Sequence, residues 1–241
     1  MTLADCARLV AAGDPDRFRA AMAAPLAARE ALLPLYAFNL EAARAAFVAR
    51  EPMVALMRLQ FWRDVLEEAA TGKPPRAHEV AEPLARLIQA RGLDVAPLDA
   101  LLAARMEDAA PRALTPPEAL AFAEATAGNL MVATCAALGE TALEAVRRAG
   151  AAGGAAAWLL ALPRLAPLGR GLRGRVEEVA EGGLAALAEA RVARVGPGVP
   201  ALRAQWWAER VLRAGLAGRL REPPEGWKRR RLLWLALTRR W

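Results

Sequence analysis

The sequence predicts an all-α protein, a single-domain helical bundle over residues 1–241, on three observations. Ala is the commonest residue and is joined by abundant Leu, Arg and Glu, whereas Tyr occurs once and Phe five times. That balance supplies good helix formers and few of the residues that favour sheets. Apolar positions recur at intervals of three and four between Pro and Gly interruptions. The third observation is size: 241 residues, 56% apolar and 24% charged, suffice for one good core and give no firm case for two. The same proportions exclude a disordered chain and a collagen-like fibre.

The elements follow in order. Asp14-Pro15 is an N-cap with a first-turn proline, opening a helix over 16–24. Pro25 restarts a helix in which Leu32, Leu33, Tyr36, Ala37, Leu40 and Ala43 are spaced to bury one face. Glu51-Pro52 opens the next, where Met53, Leu56, Met57, Gln60, Phe61 and Val65 keep the 3.6-residue period. Thr71-Gly72-Lys73-Pro74-Pro75 is a stop and a loop. Helices near 77–91 and 96–108 are divided by Gly92. Thr115-Pro116-Pro117-Glu118 is a capping box that launches one long helix to Leu138, closed by Gly139. Further helices are expected near 140–162, 172–194, 199–220 and 225–240, broken by Pro163, Pro167, Gly169, Gly196-Pro197-Gly198 and Pro223-Pro224. No period of 20–50 residues repeats, which excludes a solenoid.

Several chemistries are excluded by counting. With a single His, His78, and two distant cysteines, Cys6 and Cys135, no Cys/His zinc site can form. Any Ser-His-Asp or Cys-His mechanism would have to run through His78. The cysteines read as small buried hydrophobes, and His78, after a proline-rich loop, reads as a loop anchor. Gly153-Gly154 reads as close helix packing, because no strand precedes it as a phosphate loop requires. Acidic pairs four apart occur at Asp64/Glu68, Glu140/Glu144 and Glu177/Glu181. Chance supplies about three such pairs, so they read as solvated helix faces, with a displaced metal site as the alternative.

The net charge of +7 is unevenly spread. Residues 201–241 carry eleven Arg and Lys against three Glu, so the rest of the chain is close to neutral. Five of the seven Trp share that basic segment. Trp227, Trp234 and Trp241 are spaced by seven, and on a helix they drift by only about 20° per step. They are expected to form one stripe with Lys228, Arg229, Arg230 and Arg231 beside it. Such a stripe suits either packing on the body or an anionic lipid surface. Nucleic acid is a third anionic partner, but no recognised module supports it and none is expected. Met1–Ala12 lacks a long apolar core, and the longest uncharged run, Ala149–Pro163, is 15 residues. A bilayer span needs roughly 20. Neither a signal peptide nor a transmembrane helix is expected, and the reading is cytoplasmic, peripheral at the inner membrane surface.

Three stretches resemble the squalene/phytoene synthase superfamily. Asp16 to Pro25, then Arg29 and Leu35-Tyr36-Ala37-Phe38, is similar to its opening helices. Met57-Arg58-Leu59-Gln60-Phe61-Trp62-Arg63, followed by Gly72-Lys73-Pro74 and His78, resembles its Arg-Leu-x-Trp-Trp-Arg helix and Gly-x-Pro-x-His loop. Phe122–Gly139, with Ala127-Gly128-Asn129, resembles the long helix lining its cavity. The resemblance implies an isoprenoid synthase fold with a central cavity, here expected between the helices carrying Tyr36, Phe61 and Asn129. Active members join two prenyl diphosphates head to head, using Mg²⁺ held by an Asp-x-x-x-Asp pair on each of two facing helices.

Those aspartates are missing. The first motif's positions fall on Ala43, Arg44 and Phe47, and the second's helix reads Trp158 to Ala166 without an acid. The pattern resembles the aspartate-poor branch that includes a mitochondrial assembly factor for respiratory complex I, through Ala37-Phe38-Asn39-Leu40-Glu41 and Leu56 to Trp62. The resemblance implies a degenerate enzyme without catalytic or metal-binding residues and without a cofactor, acting as a scaffold for a respiratory-complex client. Tyr36, Asn39, Arg58, Gln60, Arg63 and Asn129 are the cavity candidates for an isoprenoid or lipid. The alternative is an active head-to-head prenyltransferase that uses Mg²⁺ through displaced ligands.

Overall fold

The computed structural model describes residues 2–48 and 51–241. Its helices are α1 (Leu3–Gly13), α2 (Pro15–Met22), α3 (Leu26–Val48), α4 (Pro52–Ala70), α5 (Ala81–Arg91), α6 (Ala96–Met106) and α7 (Pro116–Ala123). A π-helical segment, Glu124–Gly128, joins α7 to α8 (Asn129–Ala137). Then come α9 (Leu143–Leu165), α10 (Val176–Ala190), α11 (Val199–Leu202), α12 (Ala208–Leu216) and α13 (Glu225–Thr238). Among the described residues there is no strand, only an isolated bridge between Leu114 and Leu172. The expected all-α class is the observed one.

Local signals account for most boundaries. The Asp14 carboxylate accepts the Arg17 backbone N–H at 3.0 Å, capping α2. Arg29 reaches back to the carbonyls of Ala24 and Met22, closing the same helix. The Thr115/Glu118 capping box forms as expected, with Glu118 accepting from the Thr115 N–H at 2.7 Å. His78 is the loop anchor: its Nδ1 accepts the N–H groups of Val80 and Ala81 at the start of α5. Its ring also packs against Phe61 and Trp62.

The helices depart from expectation in several places. The first is α1, an unexpected helix opened by a Thr2/Asp5 capping box and held by buried Cys6 and Val10. The second is the long helix after Thr115, which is interrupted by the π segment. The third is α9, which runs through Pro163 to Leu165 instead of stopping before the proline.

The apolar core has two parts. The larger gathers α1, α3 to α6 and α8 around Leu32, Phe38, Leu59 and Trp62. The smaller joins α7, α9, α10 and α12 around Phe122, Ala155, Leu159 and Leu212. Phe38 meets Trp62 edge to face at 5.5 Å, worth about 0.5–1.5 kcal/mol beyond its burial. Helix α9 is central and packs on the π segment through glycine. A Cβ on Gly150 would lie 2.6 Å from the Ala127 carbonyl oxygen and 2.8 Å from Gly128 Cα, so a side chain there is refused by backbone.

Two helical stretches, Pro116–Ala137 and Leu143–Leu168, are long and apolar enough by length and composition to cross a membrane. Core helices of soluble proteins reach the same length and apolar composition. Of the first stretch's apolar window 67% is buried, and of the second's 39%.

The C-terminal helix also departs from expectation. Lys228 is 3% exposed and points into the body, donating to Asp16 at 2.7 Å and Glu222 at 2.6 Å. Burial pulls its pKa down, but those two carboxylates outweigh burial and hold it above the ordinary lysine value. Helix α13 ends at Thr238, with Arg239 in the left-handed region at φ +55°. Trp241 therefore lies off the helix and packs against both parts of the core. The expected Trp stripe is not formed, and Lys228 is not a surface cation.

Candidate functional site

A cavity of about 260 Å³ lies between α3, the α7–π junction and α9, and is closed at one end by α6 and the turn after it. One wall is α3, which contributes Asn39, Ala43 and Phe47. Facing it, α9 contributes Trp158, Ala161 and Leu165. Thr126 and Ala127 enter the wall from the π segment, an irregularity of a kind that frequently accompanies functional sites. These are the two helices whose facing sides the family's paired aspartates would occupy. Here both faces are apolar apart from Asn39 on α3.

The charged residues of the lining form two groups. Asp14 pairs with Arg17 at 2.6 Å. Asp108, at a helix end, is shared by two guanidiniums: Arg105 at 3.3 Å on one oxygen and Arg170 in close contact on the other. Both arginines lie over the Phe122 ring, at 5.3 Å and 4.6 Å from its centre. Burial pulls the Arg105 pKa below the ordinary arginine value, against the pull of Asp108. Nε of Arg105 and both Nε and Nη1 of Arg170 are buried without a hydrogen-bond partner.

Two smaller spaces adjoin. An outer groove of about 370 Å³ shares Phe47, Asp108 and Arg170 with the cavity. An inner chamber of about 70 Å³ shares Asp14 and Arg17 and is lined by Tyr36, Gln205 and Trp207. The Tyr36 hydroxyl, Gln205 Nε2 and Trp207 Nε1 are all unpartnered, a polar lining suited to ordered water. Burial raises the Tyr36 pKa above the ordinary phenol value.

Two of the six cavity candidates lie in these walls, Asn39 in the cavity and Tyr36 in the inner chamber. The other four do not. Arg58 and Gln60 are exposed on α4, with Gln60 donating to Asp64 at 2.7 Å. Arg63 pairs with Asp99 at 2.6 Å. Asn129 turns towards α9, where its side-chain oxygen accepts from Arg147 and its amide donates to the Ala125 carbonyl. The expected wall at Phe61 is likewise absent, because that ring packs in the Trp62/His78 cluster. In their place the site uses Arg17, Arg105, Asp108 and Arg170.

A magnesium cluster does not fit these residues. The two carboxylates in the cavity wall, Asp14 and Asp108, are already engaged by arginine. Among the described residues no three His, Cys, Asp or Glu side chains come together as metal ligands. The i,i+4 acidic pairs are also engaged or solvated: Asp64 and Glu68 meet Arg76, Glu144 meets Arg147 and Arg148, Glu177 meets Arg175 and Glu181 is exposed. Glu140 is buried in a backbone clamp.

Residues 10–170 match the squalene/phytoene synthase family profile. The chain belongs to the squalene/phytoene synthase family. The fold is similar to that of a dehydrosqualene synthase crystallised with a ligand, at TM-score 0.79 and 12% identity, covering 98% of this chain and 95% of that one. It is also similar to the squalene synthase HpnC from Alicyclobacillus acidocaldarius, at TM-score 0.73 and 15% identity, covering 88% and 92%. At such identities the likeness speaks of fold alone. No curated protein sequence matches the chain significantly.

Proposed function

We propose that this squalene/phytoene synthase family member is catalytically degenerate and holds an isoprenoid or related lipid as a non-enzymatic scaffold or assembly factor. One observation carries the reading. The cavity faces of α3 and α9 present Ala43, Phe47, Trp158, Ala161 and Leu165, where ionising an allylic diphosphate calls for several carboxylates and their cations. Electrostatic stabilisation of that kind is usually the largest single contribution to catalysis, and apolar side chains cannot supply it. What remains is a largely apolar space of about 260 Å³ with charged groups in its lining. A client in a respiratory complex is the finer part of the proposal and draws its support from the resemblance of residues 37–41 and 56–62 to the aspartate-poor branch.

The test is turnover of farnesyl and geranylgeranyl diphosphate with Mg²⁺, the extract being analysed for hydrocarbon products. No squalene, dehydrosqualene or phytoene above a blank is expected. A product formed at enzymatic rate by synthase-free protein would overturn the proposal and restore an active prenyltransferase.

A further inference from the structure

The Asp108 corner places two buried guanidiniums on one carboxylate. Arg170 is 3% and Arg105 19% exposed at the side chain, so solvent does little to balance the surplus positive charge. A buried cation without a counter-charge is costly, and three of the pair's N–H groups have no acceptor. The cavity's charged lining, Arg17, Arg105 and Arg170 against Asp14 and Asp108, leaves one positive charge over. Beside this corner the wall is apolar, with Phe122, Trp158 and Ala161.

We infer that the corner is a metal-independent anion site for a single-chain amphiphile with a phosphate monoester head. The head meets the guanidiniums of Arg105 and Arg170 where they line the cavity, and the chain lies along α9 towards Trp158. Guanidinium suits this role because its fixed fork of donors matches the oxygens of a phosphate. Charge selects the class of head. One phosphate monoester carries about −1.5 to −2 at neutral pH and so exceeds the surplus of one by no more than a single charge, whereas a diphosphate brings a second phosphate that nothing in the lining neutralises without a cation. Size selects one chain, because 260 Å³ falls just below the roughly 300–1,000 Å³ of drug-sized sites. Arg170 also lines the outer groove beside half-exposed Phe47 and Leu168, which gives the amphiphile an apolar entrance at the head site.

The inference rests on the lipid-holding proposal and deepens it, so its test separates the two. Binding to the full chain is measured in EDTA by calorimetry and Trp fluorescence with farnesyl monophosphate, farnesyl diphosphate, farnesol and inorganic phosphate. The monophosphate is expected to bind best and to be indifferent to added Mg²⁺. Farnesol, which loses at least one charge-assisted hydrogen bond, and inorganic phosphate, which loses the apolar chain, should each bind at least about tenfold more weakly. Arg170→Gln should remove that advantage while leaving farnesol binding in place. Asp108→Asn, which raises the local positive charge, should tighten the monophosphate. Because Arg170→Gln also breaks an ion pair, its folding is checked by circular dichroism, and Asp108→Asn supplies the opposite sign in the same corner. Equal binding of farnesol and monophosphate, or a requirement for Mg²⁺, overturns the anion site and leaves the lipid cavity standing. Binding by none of the three farnesyl compounds overturns both.

Discussion

Glu140 and Arg105 show how single residues at buried positions are made to serve different ends. The Glu140 carboxylate is 7% exposed and accepts four backbone N–H groups, those of Thr141, Ala142, Gly196 and Gly198, at 2.9–3.2 Å. It thereby ties the α8–α9 turn to the turn before α11. Burial pushes its pKa up, but the backbone donors outweigh burial and hold it below its ordinary 4.5. Glu140→Gln keeps the shape and loses the charge, and should cost about 2 kcal/mol, or about 4–8 °C in Tm. Because the folded pKa lies below the unfolded one, the stabilisation is present above pH 4.5 and drains as pH falls below it. Thermal melts of both forms should therefore converge on acidification, and a gap that stays constant from pH 7 to pH 3 would count against this account. Arg105, by contrast, has no such set of partners, and its unsatisfied Nε marks a site rather than a clamp.

Among the elements, α9 and the π segment show which features a sequence displays and which it hides. Gly150 lets α9 approach the backbone of residues 127–128. Gly150→Ala should destabilise by about 1–3 kcal/mol, since overpacking against backbone cannot be relieved by a rotamer change. Gly226→Ala, where a Cβ would meet nothing, should be neutral or slightly stabilising, because Ala is the better helix former. Urea midpoints check both, and equal midpoints for the two variants would show that the close approach is not holding α9. Caps were readable because they are local: Asp14-Pro15 and Thr115/Glu118 each satisfy their own helix end. The π segment was not, because no residue pattern in Glu124–Gly128 announces an extra residue in the turn. The sequence reading assigned Arg58, Gln60, Arg63 and Asn129 to the cavity because they sit in family-like stretches, yet belonging to a motif does not fix a helix face. Arg105 carried a readable signal that was missed: it falls three and four residues after buried Leu102 and Leu101, on the apolar stripe of its helix. Tyr36 and Asn39 line the chamber and the cavity because α3 buries nearly all of its middle turns.

At the scale of the whole molecule, a nearly neutral body carries a basic C-terminal segment, and the fold decides which of its charges are available. Lys228, Leu232 and Leu235 turn inward. The outward face of α13 presents Arg229 and Arg230, with Leu233 60%, Trp234 43% and Leu237 75% exposed. Arg231 and Arg240 stack on the Trp234 ring at 4.7 Å and 5.7 Å. On the lipid-surface expectation, exposed Leu and Trp bordered by arginine would meet an anionic leaflet with the rings at the headgroups and the guanidiniums on phosphate. A scaffold that receives a lipid would gain from resting on the surface that supplies it. Each arginine near such a surface contributes about 1 kcal/mol, so Arg229→Gln with Arg230→Gln should weaken binding to anionic vesicles roughly 30-fold. Trp234→Ala should weaken it further through lost apolar contact. Zwitterionic vesicles should bind poorly, and rising salt should release the protein from anionic ones as screening shortens the reach of charge. Lys228→Gln is the internal contrast: it should lower Tm by breaking the contacts to Asp16 and Glu222 while leaving vesicle affinity unchanged below the melt. Cosedimentation across these variants decides the matter, because equal binding by the double arginine variant, or binding indifferent to lipid charge, would leave this face without a membrane role.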